Sequence, residues 1–414
     1  MVSTRRTPRL TFCLCIVLLG IAAAQDSLNV RLIGACEMPG TVHSTGVAVS
    51  GDYAYLSCWG ERPDSVQGLR VISIVDPTQP VEVGYCITPG QANAVAVAGG
   101  YAYVADDTSG LRVISVADPV HPLEVGYCDT FGRAMALAVE GVLVYVADMD
   151  SGGMRVISVA DPAHPVEVGY CPRPATAGGV AVSGNYAYVK GDSFDVISVA
   201  DSANPVEVGS CKVFGGSGVA ASGHYAYVAC DGGLHVIRVA DPAHPVEVGA
   251  AGNGGNGVVV VGDRAYVAAG SHGFQVFSLA DPGSPARVGY YRQSGRDAEA
   301  VVVAGAYVYV ANDNHGLQIL EYNGAGVAEE TMSDEREAMS SGPSIVRGVL
   351  LLPGDRGPKT GDRAALLDVS GREVLGLHPG ANDVSRLAPG VYFVRQTSSV
   401  RREASSVTKV LVTR

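Results

Sequence analysis

Residues 94–128 read AVAVAGGYAYVADDTSGLRVISVADPVHPLEVGYC. Short runs of Val, Ile, Tyr and small residues alternate there with Gly, Asp and Pro, and no long stretch carries a helical period. The segments 94–100, 101–107, 110–119 and 123–128 therefore read as four strands. The same unit recurs along the chain. Asp-Pro anchors fall at Asp76, Asp118, Asp161, Asp241 and Asp281, Asp201-Ser202 stands in once, and Glu321 marks a degenerate seventh copy. Successive anchors lie 40 to 43 residues apart. Four strands in a period near that length are the content of a propeller blade.

The turns agree. Gly51-Asp52, Gly99-Gly100, Gly184-Asn185, Gly223-His224 and Gly262-Asp263 separate the first two strands of five units, and Gly141-Val142 and Gly305-Ala306 those of the other two. Glycine at the first central position suits a two-residue hairpin turn of the primed kind. The Asp-Pro-x-x-Pro loop cannot continue a ladder, because Pro lacks a donor. Seven first strands begin near Gly46, Ala94, Ala136, Gly179, Gly218, Gly257 and Ala300, but only six outer strands follow the Asp-Pro loops. An orphan strand of the outer type, VRLIGAC at Val30–Cys36, precedes the first unit. It is expected to complete the seventh blade and hide an edge that would invite aggregation. The expected fold is all-β: a seven-bladed propeller of four-stranded blades over residues 25–321.

Composition narrows the function. The 414 residues are 47% hydrophobic and 17% charged, enough apolar surface for a large core. Lys+Arg 29 against Asp+Glu 41 gives a net charge of −12, so a nucleic-acid partner is set aside. Residues 1–24 read as a secretory signal: Arg5, Arg6 and Arg9, an apolar run over 10–21, then Ala22-Ala23-Ala24 before Gln25. That run falls short of the roughly 20 residues that cross a bilayer, and no later segment reaches that length.

Seven cysteines follow the signal, five of them at one repeated place: Cys36, Cys86, Cys128, Cys171 and Cys211. Equivalent positions in neighbouring blades are separated by at least the sheet spacing of about 10 Å. A disulfide needs Cα atoms within about 7 Å. These five are expected to be free, half-buried thiols, and Cys58 and Cys230 to lie too far apart to pair.

The units resemble the LVIVD repeat family of bacterial and archaeal surface propellers. GLRVISIVDPTQPVEVG at 68–84, GLRVISVADPVHPLEVG at 110–126 and LHVIRVADPAHPVEVG at 234–249 carry the likeness. The likeness departs at 194–199, which lack the leading Gly-Leu, and at Glu321. The resemblance implies export and a binding or scaffolding role, with no general catalytic motif. After an acidic Gly/Ser-rich linker over 322–344, residues 345–414 change pattern, and short alternating runs there suggest a small β-sandwich. LLDVSGREV at 366–374, DVSRLAPGVYFVR at 383–395 and VTKVLVTR at 407–414 resemble the C-terminal sorting domain of type IX secretion. That resemblance implies the secretion machinery as a partner and the outer surface of a Gram-negative cell, or its surroundings, as the destination.

Propellers bind ligands over the channel. The ring of residues just before each first strand is Thr45, Asn93, Met135, Gly178, Ser217, Asn256 and Glu299. It offers one carboxylate and no His, whereas a hydrolase or lyase wants convergent groups, so no catalytic residue is assigned. Blade one has the longest loop between its second and third strands, 59–67, with the chain's single Trp. Trp and Arg are enriched at binding hot spots. The candidate ligand site is therefore Trp59, Arg62 and Asp64 with His43, Arg296, Asp297 and Glu299, for a protein, glycan or surface polymer. Asp106, Asp148 and Asp150 sit in loops where carboxylates either cap turns or hold calcium, and no cofactor is assigned. Gly252 to Gly257 match G-x-G-x-x-G but precede a strand, so the phosphate reading fails. His121, His164 and His244 repeat one loop position in separate blades and read as structural. Two alternatives stay open: a secreted hydrolase or lyase at the channel mouth, and a calcium-stabilised adhesin.

Overall fold

The computed structural model describes residues 25–38, 42–60, 67–150, 153–172 and 176–324, and the backbone of seven strands between Ser344 and Val412. Residues up to Gly324 form one compact unit and the remainder a second. The first unit is a seven-bladed β-propeller of antiparallel sheets. Blade one comprises Val42–Ser50, Tyr53–Gly60, Gly68–Ser73 and Val81–Ile87, here strands a to d from the channel outward. Blades two to seven begin at Ala94, Arg133, Gly179, Gly218, Gly257 and Ala300. The innermost strands touch their neighbours all the way round, with Ala300–Ala304 against Val42–Ser50 completing the circle.

Val30–Cys36 pairs antiparallel with Leu317–Tyr322, from Val30 opposite Tyr322 to Cys36 opposite Leu317. The orphan strand thus completes blade seven, as the strand count requires. It also reproduces a detail of the outer strands of blades one to five. The glycine of the Val-Glu-Val-Gly run receives the Asp-Pro loop of the next blade, and a Cβ at Gly126 would sit 2.3 Å from the Pro162 carbonyl oxygen. Gly34 stands in the same relation to Pro77 of blade one. A further strand escaped the sequence reading: Gln25–Leu28 adds a fifth strand to the outer edge of blade six, where Asp26 accepts a hydrogen bond from the Tyr290 hydroxyl at 2.7 Å.

The core is divided among the interfaces between blades. Each of seven apolar clusters draws residues from two adjacent blades. Strand b supplies a nearly buried Tyr to every blade: Tyr55, Tyr103, Tyr145, Tyr188, Tyr227, Tyr266 and Tyr309. The closing interface is as apolar as the rest, packing Leu317 and Ile319 of blade seven against Val47, Leu56 and Ile72 of blade one. At the a–b hairpins the first glycine takes positive φ, 57° at Gly51 for example, and only Gly99-Gly100 has positive φ at both central residues. None of the seven described cysteines is joined in a disulfide. Cys36 and Cys171, however, are 1% and 3% exposed rather than half-buried, because they pack into the inter-blade clusters.

In the second unit the strands are Ser344–Val346, Val349–Leu352, Arg363–Leu367, Glu373–Leu377, Gly380–Asp383, Gly390–Thr397 and Ser406–Val412. Five of them pair in one sheet and two in another.

Candidate functional site

Strands a and b of blade one bring His43 directly opposite Trp59. Their rings stack with centroids 4.2 Å apart and planes 15° from parallel. Asp313, in the b–c turn of blade seven, adopts positive φ and reaches across the closing interface. Its carbonyl oxygen accepts from the Ser44 amide at 2.6 Å, and its carboxylate meets His43 Nδ1 in a short contact. The pair is an ion pair only when the imidazole is protonated.

Glu299 lies beside this group. Asn256 of blade six donates to its Oε2 from 2.9 Å. Burial, reinforced by Asp313 and Asp297, pushes the Glu299 carboxyl up to about 7, against the opposing pull of Asn256 and His43. A carboxyl at that value exchanges protons near neutrality, which is what acid–base work or a pH-responsive contact needs. Asp297 is exposed at the rim.

Four of the seven expected residues, His43, Trp59, Asp297 and Glu299, thus gather at the mouth between blades six, seven and one. Arg296 is turned elsewhere: its guanidinium donates to Glu37 at 2.6 Å, in a cluster completed by His315. Arg62 and Asp64 lie outside the described residues. Asp313 and Asn256 belong to the site but not to the expected set, Asn256 standing there only in the ring before the first strands. What joins them to it, contacts between neighbouring blades from six to seven and from seven to one, needs three dimensions. The ring alone supplies one carboxylate, yet its neighbours add His43, Asp297 and Asp313, so the convergence it seemed to lack is present.

The loop aspartates have other work. Asp106 is fully buried and accepts from the Thr88 hydroxyl at 2.6 Å and the Gly90 amide at 2.8 Å. Asp148 repeats this in blade three with Thr130 and Gly132, and takes a 2.6 Å hydrogen bond from Arg155. Asp150 pairs at the surface with Arg133 at 2.6 Å. No cluster of three or more metal-ligating side chains occurs among the described residues. His121, His164 and His244 each fold back onto the aspartate three residues earlier.

The ring residues also latch neighbouring blades. Thr45 Oγ1 donates to the Ala92 carbonyl at 2.8 Å and Asn93 Nδ2 to that of Ala134 at 3.0 Å. Asn256 reaches the Ala298 carbonyl more loosely, at 3.4 Å.

Among solved structures, the computationally designed Ika8 protein superposes with a TM-score of 0.50 at 10% identity, over 70% of this chain and 99% of that one. A Bacteroides fragilis NCTC 9343 protein assigned as a 6-phosphogluconolactonase gives 0.49 at 16% identity, over 65% and 87%. The first likeness concerns the fold alone, and the second carries no further inference. No curated protein matches the chain. The LVIVD repeat matches seven times, at residues 43–88, 89–130, 131–172, 174–213, 216–251, 254–293 and 295–321. With its matches covering well over half of the sequence and one falling on each blade, the chain belongs to the LVIVD repeat family.

Proposed function

We propose that the chain is an exported, non-enzymatic binding module that holds a surface glycan at the channel mouth between blades six, seven and one. Residues 1–24 serve as its secretory signal, 322–344 as a linker, and 345–414 as a type IX sorting domain with a β-sandwich fold. The observation that carries the reading is the His43–Trp59 stack flanked by Glu299, Asp313 and Asp297. The ring of Trp59 offers an apolar face for a sugar ring, and the carboxyl groups offer acceptors for hydroxyl or amino substituents. It sits where the repeat departs from itself, on a rigid scaffold.

A second reading, a hydrolase or lyase, has one observation in its favour: Glu299 is raised to about 7 with other carboxylates beside it, as a general acid would be. One experiment separates the two. The chain's single Trp reports occupancy through its emission as a panel of bacterial surface oligosaccharides is titrated in. Binding without turnover, weakened about tenfold or more by Trp59→Ala, supports the module. Turnover abolished by Glu299→Gln supports the enzyme, and a panel with neither overturns the glycan reading.

A further inference from the structure

The strand-b residue paired with the small residue that opens strand a is Ala in five blades (Ala105, Ala147, Ala229, Ala268 and Ala311) and Ser57 in blade one, and in blade four the same position faces Gly179. Blade four places Lys190 there, fully buried. The b–c turn that follows is short, Gly191, Asp192 and Ser193. The aspartate that fills this corner in blades two and three, Asp106 and Asp148, is replaced there by Gly191.

A cavity of about 460 Å³ lies there, its wall including Lys190, Asp192, Thr176, Ser217 and Phe214. A second cleft of about 380 Å³ shares Phe214 and Gly215 with it and is lined by Lys212, Asp231 and His235, the last paired with Glu247 at 2.8 Å. The Lys190 ammonium has no carboxylate within salt-bridge distance among the described residues; its one hydrogen bond is a short one to the Gly191 carbonyl. Phe214, between the two openings, is 77% exposed.

The distribution of residue types sharpens the point. The whole chain has four lysines, Lys190, Lys212, Lys359 and Lys409, and uses Arg for every other basic position. The propeller's two primary amines therefore fall in this one corner. A buried site that needed only positive charge would be served by Arg, which stays protonated; a primary amine adds nucleophilicity once it is desolvated.

We propose that this corner is a covalent binding site for a small carbonyl compound, with the Lys190 amine adding to its aldehyde or ketone carbon. The amine nitrogen attacks the carbonyl carbon, the carbonyl oxygen leaves as water with the two amine hydrogens, and a C=N bond remains. No oxidant or reductant is consumed. The site is separate from the channel-mouth cluster and does not depend on it. Burial holds the Lys190 amine below the ordinary lysine range, with Cys230, Asp192, Asp195 and Cys211 pulling the other way. A larger share of it is therefore the neutral nucleophile at neutral pH than for an exposed lysine.

The test uses the full chain, glyoxylate as the probe, and sodium cyanoborohydride to fix the imine, with peptide mass mapping of all four lysines. At pH 7 Lys190 is expected to label about tenfold or more faster than Lys212, Lys359 and Lys409. Lys190→Ala installs the residue that five other blades carry, so it folds, as a melting curve checks, and the fast label disappears. Equal labelling of the four lysines, or labelling of Lys190 only in denaturant, overturns the proposal.

Discussion

Asn256 of blade six donates a hydrogen bond to Glu299 of blade seven at 2.9 Å, and Glu299 is the one acid in the ring at the channel mouth. That bond favours the ionised carboxylate, while burial and the neighbouring Asp313 and Asp297 favour the protonated acid and prevail. A carboxyl raised in the folded state binds its proton more tightly there than in the unfolded chain. Its effect on stability is therefore nil well below the ordinary glutamate range. It becomes increasingly unfavourable as the pH climbs from that range through about 7, then constant. Glu299→Gln should raise stability at pH 8 by about 1–3 kcal/mol and leave pH 4 nearly unchanged. Urea unfolding at the two pH values checks it, and an equal effect at both would remove the raised carboxyl from the account.

Asp148 and Arg155 form a buried pair in blade three, with side chains 0% and 5% exposed. Removing one partner leaves the other charge without compensation. Asp148→Ala should cost about 3–5 kcal/mol in chemical denaturation. A loss below about 1 kcal/mol would mean that Arg155 finds sufficient compensation in Glu167, its other partner at 3.0 Å.

Calcium is the third matter. Both carboxylate oxygens of Asp106 and of Asp148 already accept hydrogen bonds from within the fold. Melting curves in calcium and in chelator should therefore coincide. A rise of several degrees with calcium would reveal binding to the native state and restore the adhesin reading.

Gly34 gives a test of ring closure. Its Cβ would stand 2.3 Å from the Pro77 carbonyl oxygen, a backbone atom that cannot swing away. Gly34→Ala is expected to destabilise the propeller by about 1–3 kcal/mol in urea unfolding, and a neutral outcome would mean that the closing strand shifts freely.

The thiols should be quiet. Burial pushes Cys58 up to about 11, and burial with Glu247 and Asp195 does the same for Cys211. Because the thiolate is the reactive species, both should react slowly with a thiol reagent at pH 8 and quickly after unfolding in guanidinium. Rapid native labelling of Cys58 would show that the blade seven–one interface opens.

Much of the fold was readable because its signals are local and repeated: the glycine turns, the Asp-Pro loops and the alternation within each strand. Even the closing strand was found by counting, since Val30–Cys36 carries the outer-strand pattern. Gln25–Leu28 was missed because QDSL has no alternation to mark it, and its pairing depends on the edge that blade six leaves open. The site was half legible. His43 and Trp59 stood out as departures from the repeat, whereas Asp313 and Asn256 occupy ordinary repeat positions and join only through the ring. Arg296 was assigned by proximity in sequence, and its attraction to Glu37, far away in the chain, decided otherwise.

The pairing of Val30–Cys36 with Leu317–Tyr322 sets a clock on synthesis. Arg31 and its partner Glu321 are 290 residues apart. At about 5–20 residues per second, the first of these strands waits about 15–60 s for the last. Throughout that interval the circle is an open arc, with one apolar interface bare at each end. The arc cannot lock until nearly the whole repeat array has left the ribosome.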